Sequence, residues 1–266
     1  MKRPFLSLIQ EAGLSCGVQF TEIEEHIVYR AQKDGKTFLM YNVDLGLNNT
    51  SAANIANSKS LTYSVLANAG LPCVEHTFLP NPNTAYSTGD TFVKAKQFFL
   101  AHGPQLVIKP DSGLQGKDVY KIDSLPQLKD RMSQLFAKQL DVSLSPYYET
   151  NYEFRVVILK GEAKLSFAKE KLRSWKHNLT GGQAKVRELD FLPATFVNEL
   201  HKLAINAANA LQLTFCSIDV LHTVTGLKVL EANASVFLSE YMKTSNAAKQ
   251  QVFELYQDAF TIKFNE

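Results

Sequence analysis

Residues 227–237 read LKVLEANASVF, and this stretch raises the question that decides the fold. Val229, Leu230 and Ala232 indicate a buried strand. Glu231 and Asn233 interrupt it two positions apart. Residues two apart in a strand lie on the same face of the sheet. A carboxylate and an amide on a buried face cost several kcal/mol unless a partner binds them. The stretch therefore predicts a bound partner at this face.

A second apolar strand, TFCSIDVLHT at residues 214–223, precedes it and is interrupted by Asp219. A three-residue hairpin loop needs a left-handed residue at its third position, and Gly226 supplies one in the loop Val224-Thr225-Gly226. The register that follows pairs Thr223 with Leu227, Leu221 with Val229, Asp219 with Glu231, and Ser217 with Asn233. We therefore expect Asp219, Glu231 and Asn233 to share one patch.

Two carboxylates about 5 Å apart repel each other, and one takes up a proton unless a cation lies between them. An all-oxygen set of ligands suits Mg²⁺ or Mn²⁺ better than zinc. The alternative is that these residues face solvent or pair with lysines. Magnesium held by few protein oxygens keeps other positions for water and substrate phosphates. The metal hypothesis therefore predicts a phosphate site nearby.

The candidate phosphate site is LVIKPDSGLQGKDVYKI, residues 106–122, which alternates strand, loop and strand. Lys109 at the strand end supplies a positive charge, and Gly113 and Gly116 let the backbone curl around an anion. The stretch matches neither the P-loop nor the dinucleotide fingerprint. An ordinary glycine-containing turn is therefore the alternative.

A third segment of interest is YEFRVVIL, residues 152–159, in which Arg155 shares a strand face with Glu153. A nearly buried arginine needs a carboxylate or a phosphate as partner. Basic residues continue from 160 to 187, and we interpret most of them as solvent-exposed. The polar loop WKHNLTGGQA, residues 175–184, is typical of a mobile closure over a substrate; its His177 is either a base or a surface histidine.

Composition limits the class of protein. Of 266 residues, 45% are hydrophobic and 20% charged, which is typical of a globular protein. The net charge of +2 gives no argument for a nucleic-acid partner. No apolar run approaches the ~20 residues of a membrane span, and the first one is too short for a signal peptide. Cys16, Cys73 and Cys216 are scattered, which predicts buried, reduced thiols and a cytoplasmic location.

Local patterns predict the elements of the first third of the chain. A helix is expected from residue 4 to Gly13, followed by strands around an Asp34-Gly35 turn. Residues 46–58, GLNNTSAANIANS, read as a polar loop, and residues 81–90, NPNTAYSTGD, as a linker.

The segment SKSLTYSVLANAGLP, residues 58–72, predicts a helix that is capped by Ser58 and ended by Gly70 and Pro72. Its expected apolar stripe is Leu61, Val65 and Leu66.

Taken in order, six segments resemble the ATP-grasp superfamily of carboxylate–amine ligases. They are SKSLTYSVLANAGLP, VIKPDSGLQGKDV, YYETNYEFRVVIL, KHNLTGGQA, CSIDVL and VLEANAS. The resemblance runs from about Ser58 to the end of the metal hairpin. It is closest to the ribosomal-protein glutamate ligase, cyanophycin synthetase and glutathione synthetase branch, in which a polar entry, here Asn49 to Thr62, precedes the helix ending in AGLP.

The resemblance implies an α/β (α+β) chain with the ATP-grasp fold, in which two α+β subdomains hold the nucleotide. A small N-terminal α/β subdomain is expected at residues 1–57. A central region with the small ATP-grasp subdomain and the phosphate loop is expected at 58–145, and a C-terminal subdomain with the metal site at 146–266.

The resemblance also assigns roles to residues. ATP phosphates would be contacted by Lys109 and by Lys59 or Lys117, and the flexible loop over them would run from Gly113 to Gly116. Tyr147, Tyr148 and Glu149 would receive the adenine and ribose. Arg155, Lys176 and Asn178 would hold the transferred phosphate or acyl phosphate. Asp219, Glu231 and Asn233 would bind two Mg²⁺ ions, with Mn²⁺ as a substitute.

One departure concerns the acceptor side. The family's asparagine is usually followed by Pro-Gly, whereas Ala234-Ser235-Val236-Phe237 follows Asn233 here. The metal and nucleotide sites do not depend on this difference, but the docking of the amine substrate does.

The implied reaction has two steps: a carboxylate attacks the ATP γ-phosphate to form an acyl phosphate, and an amine then displaces phosphate. The expected substrate is an amino acid or peptide, with no nucleic-acid or membrane partner and room for a homo-oligomer. The alternatives are a small-molecule kinase of the same superfamily and a nucleotide-binding regulatory protein without turnover.

Overall fold

The computed structural model describes residues 3–84, 90–113 and 116–265. The helices are α1 (Pro4–Ser15), α2 (Thr50–Asn57), α3 (Lys59–Asn68), α4 (Thr91–His102), α5 (Leu125–Ala137), α6 (Ala194–Ala210) and α7 (Asn246–Asn265), with a short 3₁₀ turn at Leu189–Phe191. Within these residues, no helix combines the length and the apolar character that a membrane crossing requires. The central part of the predicted linker, residues 85–89, lies outside the described residues.

The N-terminal sheet is an antiparallel meander of β1 (Gln19–Glu24), β2 (Val28–Lys33) and β3 (Lys36–Tyr41). The predicted Asp34-Gly35 turn is confirmed, since Lys33 pairs with Lys36 and both turn residues have positive φ. Helix α1 continues to Ser15, past the predicted end at Gly13. A Cβ at Gly13 would lie 2.5 Å from the Phe20 ring, so this glycine permits close packing rather than ending the helix.

The small sheet has the order β4 (Thr77–Leu79), β7 (Val142–Pro146), β5 (Leu106–Pro110) and β6 (Tyr120–Ile122), with antiparallel pairing throughout. Helices α4 and α5 cover it and bury a core that includes Leu106, Leu128 and Leu144.

The large sheet has the order β10 (Ala184–Arg187), β9 (Glu162–Lys171), β8 (Tyr152–Leu159), β11 (Phe215–Thr223) and β12 (Gly226–Asn233). Successive residues of β8 enter opposite cores, as the two-residue period of a strand requires. Val156 and Ile158 pack with α2, α3 and α6, whereas Val157 and Leu159 pack with α1, α7 and the N-terminal sheet. The N-terminal meander thus shares a core with the large sheet, and the division at residues 57 and 145 stays a prediction.

Helix α2 stands where a loop was predicted. The Asn49 side chain caps it by accepting a 2.8 Å hydrogen bond from the Ala52 amide. Ala52 and Ala56 are its buried residues, and their small size lets α2 lie close against the large-sheet core. Ile55 also packs against this core, so Ala52, Ile55 and Ala56 follow the spacing of a helix face. The prediction missed this signal because most residues of the segment are small or polar.

Helix α3 confirms the predicted Ser58 cap, whose hydroxyl accepts from the Leu61 amide at 3.2 Å. The predicted apolar stripe is wrong at Leu61, which is 51% exposed, and right at Leu66. The polar residues Lys59 and Ser60 are buried instead, because the start of α3 packs against the loop after β5.

The β11–β12 hairpin departs from prediction at its turn and agrees at its base. Val224 and Thr225 alone form the turn, with Thr223 paired to Gly226 instead of Leu227. A bulge after Asp219 then shifts the register by one residue. The two deviations cancel, so Asp219 lies opposite Glu231 and Ser217 opposite Asn233, as predicted.

The cysteines are all free thiols. Cys216 is buried as predicted, but Cys16 and Cys73 are half-buried.

Candidate active site

A cleft of about 570 Å³ lies where the small sheet, the large sheet and the N-terminal meander approach one another. The predicted site residues that line it are Lys59, Lys109, Gly113, Gly116, Lys117, Tyr147, Tyr148, Arg155, Lys176, Asn178, Glu231 and Asn233. Asp219 and Glu149 are not among its lining residues: the first lies beneath Arg155, and the second pairs with Lys171. The structure thus gathers residues from distant parts of the sequence into one site.

The floor of the cleft is a buried ion network on the large sheet. Arg155 on β8 donates from Nε to Asp219 Oδ1 at 2.8 Å and from Nη2 to Oδ2 at 2.6 Å. Lys169 on β9 donates to the same Oδ2 at 3.0 Å and also pairs with Glu153. Burial alone would raise the pKa of Asp219, but the charges of Arg155 and Lys169 hold it well below its usual range. Asp219 is therefore an anion that already has two protein cations.

Glu231 and Asn233, on the neighbouring strand β12, differ from Asp219 in their hydrogen-bond and ion-pair partners. The Glu231 carboxylate lines the cleft and makes no hydrogen bond or ion pair with the described residues. The Asn233 side-chain nitrogen is buried, and it has no hydrogen-bond partner among those residues. A buried amide without a partner is costly, so these two side chains are poised to bind something that enters the cleft.

The small sheet supplies the other wall. Lys109, near the end of β5, is buried, and burial lowers its pKa to about 8, with the nearby Lys59 acting in the same direction. The negative charges of Glu231, Glu153 and Asp111 oppose this shift in the pKa of Lys109. A lysine in this position is a binding group for an anion between the two sheets.

The loop after β5 is held by the first turn of α3. Asp111 accepts hydrogen bonds from the Ser58 hydroxyl and from the Ser60 amide, the latter at 3.0 Å. Lys59 Nζ donates to the Gly113 carbonyl at 3.2 Å. Lys59 thus reaches the predicted phosphate loop, although Leu114 and Gln115 of that loop lie outside the described residues.

The polar loop 175–184 closes over the same region. Lys176 Nζ donates to the Gly116 carbonyl at 3.3 Å, and a Cβ at Gly116 would meet Asn178 Nδ2 at 3.5 Å. Gly116 has φ +66°, a left-handed conformation that favours glycine. The loop predicted to hold the transferred phosphate therefore touches the predicted phosphate loop directly.

Aromatic side chains line the segment between the two sheets. The rings of Tyr147 and Trp175 meet edge-to-face with centroids 5.8 Å apart, and Lys121 Nζ lies 4.0 Å from the Tyr147 centroid. The Tyr147 hydroxyl donates to Glu149, which also pairs with Lys171. Such an aromatic corner with polar edges suits a flat heteroaromatic ring.

His177 lies in the same loop and lines the cleft with its side chain 8% exposed. Its Nδ1 is 4.0 Å from Glu153, and its Nε2 is buried without a hydrogen-bond partner among the described residues. Burial lowers the pKa of His177, so the ring is neutral near pH 7. The surface position that was one of two alternatives is therefore wrong, and a role as a base stays a prediction.

The model of the RimK-like ATP-grasp domain family matches residues 56–255. The chain belongs to this family.

The matched region of this RimK-like chain begins before α3 and ends within α7, so it contains both sheets that flank the cleft. A curated relative, the tetrahydromethanopterin:alpha-L-glutamate ligase of Methanocaldococcus jannaschii, is 24% identical in an alignment of 170 positions. The alignment covers 59% of this chain and 53% of that protein. The chain thus spans about half the length of this relative.

Solved structures show the same fold. The D-alanine–D-alanine ligase of Bacillus anthracis, solved with ATP, superposes with a TM-score of 0.63 at 15% identity, covering 82% of this chain and 70% of that one. The D-cycloserine synthetase DcsG gives 0.60 at 17% identity, with coverage of 78% and 71%. At these identities the likeness establishes the ATP-grasp fold, which confirms the fold predicted for the RimK-like chain.

The three residues predicted to bind metal fit the ligand preference of Mg²⁺ in part. Glu231 and Asn233 offer oxygens of the kind that Mg²⁺ prefers. The Asp219 oxygens accept three hydrogen bonds from Arg155 and Lys169, and Asp219 is buried and does not line the cleft. A cation in the cleft would reach it only after Arg155 or Lys169 moves. Within residues 3–84, 90–113 and 116–265, no group of three or more His, Cys, Asp or Glu side chains is arranged to hold a metal ion. The fit therefore rests on two carboxylates and one amide.

Sequence reasoning missed two residues of the RimK-like cleft. Lys169, interpreted as solvent-exposed, is buried in the ion network, and Trp175 forms the aromatic corner. Lys169 lies on the same buried face of β9 as Leu165 and Phe167. This alternation was a signal in the sequence that Lys169 is buried. The position of Lys169 opposite Glu153, however, depends on a register shift in the β8–β9 pairing between Val157 and Ile158. Hydrophobic periodicity does not reveal such a bulge.

Proposed function

We propose that this RimK-like chain is an ATP-dependent carboxylate–amine ligase that forms an amide bond through an acyl phosphate. The observation that supports this best is the cleft itself, where cations from both sheets face the unpartnered side chains of Glu231 and Asn233. Such a set favours a polyphosphate with its counter-ion.

In the first step, a substrate carboxylate oxygen attacks the γ-phosphorus and ADP leaves. Little covalent chemistry is required of the protein, so positioning and charge neutralisation supply the rate enhancement. Lys109 and Lys59 bind the phosphates from the small sheet and α3, and Lys176 and Asn178 cover them from the loop. Arg155 is oriented by Asp219 and binds the transferred phosphoryl group.

Glu231 and Asn233 would hold Mg²⁺, which supplies neutralisation of phosphate charge when bound. Two ions require Asp219 as well, so we propose that phosphate entry draws Arg155 or Lys169 away from it. Mn²⁺ fits the same oxygen donors.

The nucleobase is proposed to lie in the corner formed by Tyr147, Tyr148 and Trp175, where it would stack against aromatic rings. Glu149 and its partner Lys171 supply polar atoms at the edge of this corner.

In the second step, an amine attacks the acyl carbon and inorganic phosphate leaves. The curated relative is named as a glutamate ligase, and we propose an amino acid or peptide as the carboxylate substrate. A cytoplasmic location and a homo-oligomer remain predictions.

The test is a product assay. The protein is incubated with Mg²⁺-ATP, amino acids, dipeptides and hydroxylamine, a small neutral nucleophile that traps acyl phosphates without a dedicated amine site. The proposal predicts a hydroxamate together with equal amounts of ADP and phosphate. A stable phosphorylated metabolite would identify a kinase instead, and binding of ATP without turnover would identify a regulatory protein.

A further inference from the structure

One part of the cleft lies outside the phosphate-binding elements. We call it the aromatic lobe, and it is lined by residues 41–44 of the N-terminal meander, by residues 234–241 except Val236, and by Phe167 and Leu179. Residues 41–44 precede the region matched by the family model, which begins at residue 56. The lobe is therefore built partly by a segment that the family match does not describe.

Two large side chains of the lobe are accessible, whereas its other apolar side chains are mostly buried. Tyr41 is 63% exposed and Phe237 is 46% exposed, although both line the cleft. Large side chains in such positions are free to contact an apolar group of a ligand.

The lobe is also a built structure. Asn48 Nδ2 donates to the Ala234 carbonyl at 3.0 Å, which ties the meander segment to the loop directly after Asn233. Tyr256 donates its hydroxyl hydrogen to the Val236 carbonyl at 3.0 Å. The Phe167 and Tyr241 rings stack with centroids 4.8 Å apart. The wall is thus held in place next to the unpartnered Asn233.

The charge of the lobe is opposite to that of the rest of the cleft. Among the described residues that line the lobe, the charged ones are Asp44 and Glu240. One oxygen of Asp44 accepts from the Gly46 amide at 2.8 Å, and Glu240 pairs with Lys243 at the rim. A second carboxylate on a substrate would be repelled here, whereas an ammonium group would be attracted.

We propose that the aromatic lobe is the amine-substrate subsite, and that it selects a primary amine carrying an aromatic or long apolar group and no carboxylate. Tyr41 and Phe237 contact the apolar body, and Asp44 binds the ammonium. This proposal rests on the proposed ligase function and deepens it, because it names the class of amine. It also explains why residues 234–237 depart from the family's pattern: they form a wall for this apolar group.

The test measures binding by calorimetry on the full chain in the presence of ADP and Mg²⁺. The probes are tyramine, 3-(4-hydroxyphenyl)propionate, which replaces the amine by a carboxylate, and glutamate. We expect tyramine to bind at least tenfold more tightly than either anion. We expect Asp44→Asn to weaken tyramine binding about tenfold and Tyr41→Ser about fivefold.

Leu39→Ser is the matched control, because Leu39 is 62% exposed on the same face of β3 as Tyr41 but does not line the cleft. It should leave tyramine binding unchanged. Equal binding of glutamate and tyramine, or an unchanged affinity in Asp44→Asn, would overturn the subsite.

The hydroxylamine trap separates the two proposals. Hydroxamate formation without selective tyramine binding would contradict the proposed subsite and leave the proposed ligase function supported. Selective tyramine binding without hydroxamate would show that the lobe binds amines, but it would overturn the ligase and with it the role of the lobe as a substrate subsite.

Discussion

Arg155 donates two hydrogen bonds, of 2.8 and 2.6 Å, to Asp219 and thereby occupies one of the carboxylates expected to bind metal. The sequence predicted phosphate binding for Arg155 and metal binding for Asp219, but in the structure the two residues form one buried ion pair. Glu231, opposite Asp219 in the hairpin, has no such partner among the described residues. Asp219 therefore contributes to stability through an ion pair, a contribution that Glu231 does not share.

The first prediction compares Asp219→Asn with Glu231→Gln. Removing the Asp219 charge leaves Arg155 buried without its counter-ion and Lys169 with Glu153 alone, which costs about 3–5 kcal/mol of unfolding free energy. Glu231→Gln breaks no ion pair, so its stability should stay within about 1 kcal/mol of wild type while nucleotide turnover falls about 100-fold. Urea unfolding and ADP release measure the two effects. Equal destabilisation by both variants would contradict the account.

The second prediction concerns Lys169. Lys169→Met keeps much of the side-chain length but leaves Glu153 and Asp219 short of a cation, so we expect lower stability and at least tenfold slower turnover. Lys185→Met is the control, since Lys185 is 58% exposed in its pair with Glu170 and such surface pairs contribute little. If the two variants behave alike in unfolding and turnover assays, Lys169 has no special role.

Part of this site could be predicted from the sequence, and the reasons are local. The opposition of Asp219 and Glu231 was predicted correctly, although a shorter turn and a bulge changed the path to it. The burial of Lys169 was predictable from the face it shares with Leu165 and Phe167. Its partner Glu153 was not, because their pairing depends on a bulge at Lys164 in β9 that leaves no mark in periodicity. Helix α2 was missed because its segment is short and mostly small or polar, although Ala52, Ile55 and Ala56 follow helical spacing.

The lobe beside Asn233 was beyond sequence reasoning for another reason. Asn48 bonds to Ala234 across 186 residues of chain, and no local pattern connects them. The same holds for Trp175 and Tyr147, which meet only when the two sheets flank the cleft.

The third prediction uses pH. Burial lowers the pKa of Lys109 to about 8, whereas an unfolded lysine titrates at about 10.4. Between these values the unfolded state binds more protons, so the contribution of Lys109 to stability rises with pH across this window. Nucleotide affinity should do the opposite and weaken as pH rises through about 8, because the charged ammonium is lost.

Calorimetry of ADP binding from pH 7 to 9, in buffers of different ionisation enthalpy, measures this effect and the proton uptake that accompanies it. Lys109→Arg stays charged in this range and should abolish the pH dependence. A wild-type affinity that is flat from pH 7 to 9 would show that Lys109 does not bind the phosphates.

The fourth prediction concerns Trp175, which is the single tryptophan of the chain. If the nucleobase stacks in the corner with Tyr147, ADP binding should change the intrinsic fluorescence, with a midpoint equal to the calorimetric Kd. Trp175→Phe should abolish the signal and weaken binding by only a few-fold, since the aromatic face is kept. Binding by calorimetry without any change in fluorescence would place the base elsewhere.

The central claim, activation of a carboxylate as an acyl phosphate, is tested most directly by isotope transfer. The substrate that yields a hydroxamate is prepared with ¹⁸O in its carboxylate and turned over with Mg²⁺-ATP and an amine. The account predicts that, for each amide formed, one ¹⁸O atom of the carboxylate appears in the released inorganic phosphate, alongside ADP. Phosphate free of ¹⁸O, or ¹⁸O in AMP, would contradict it.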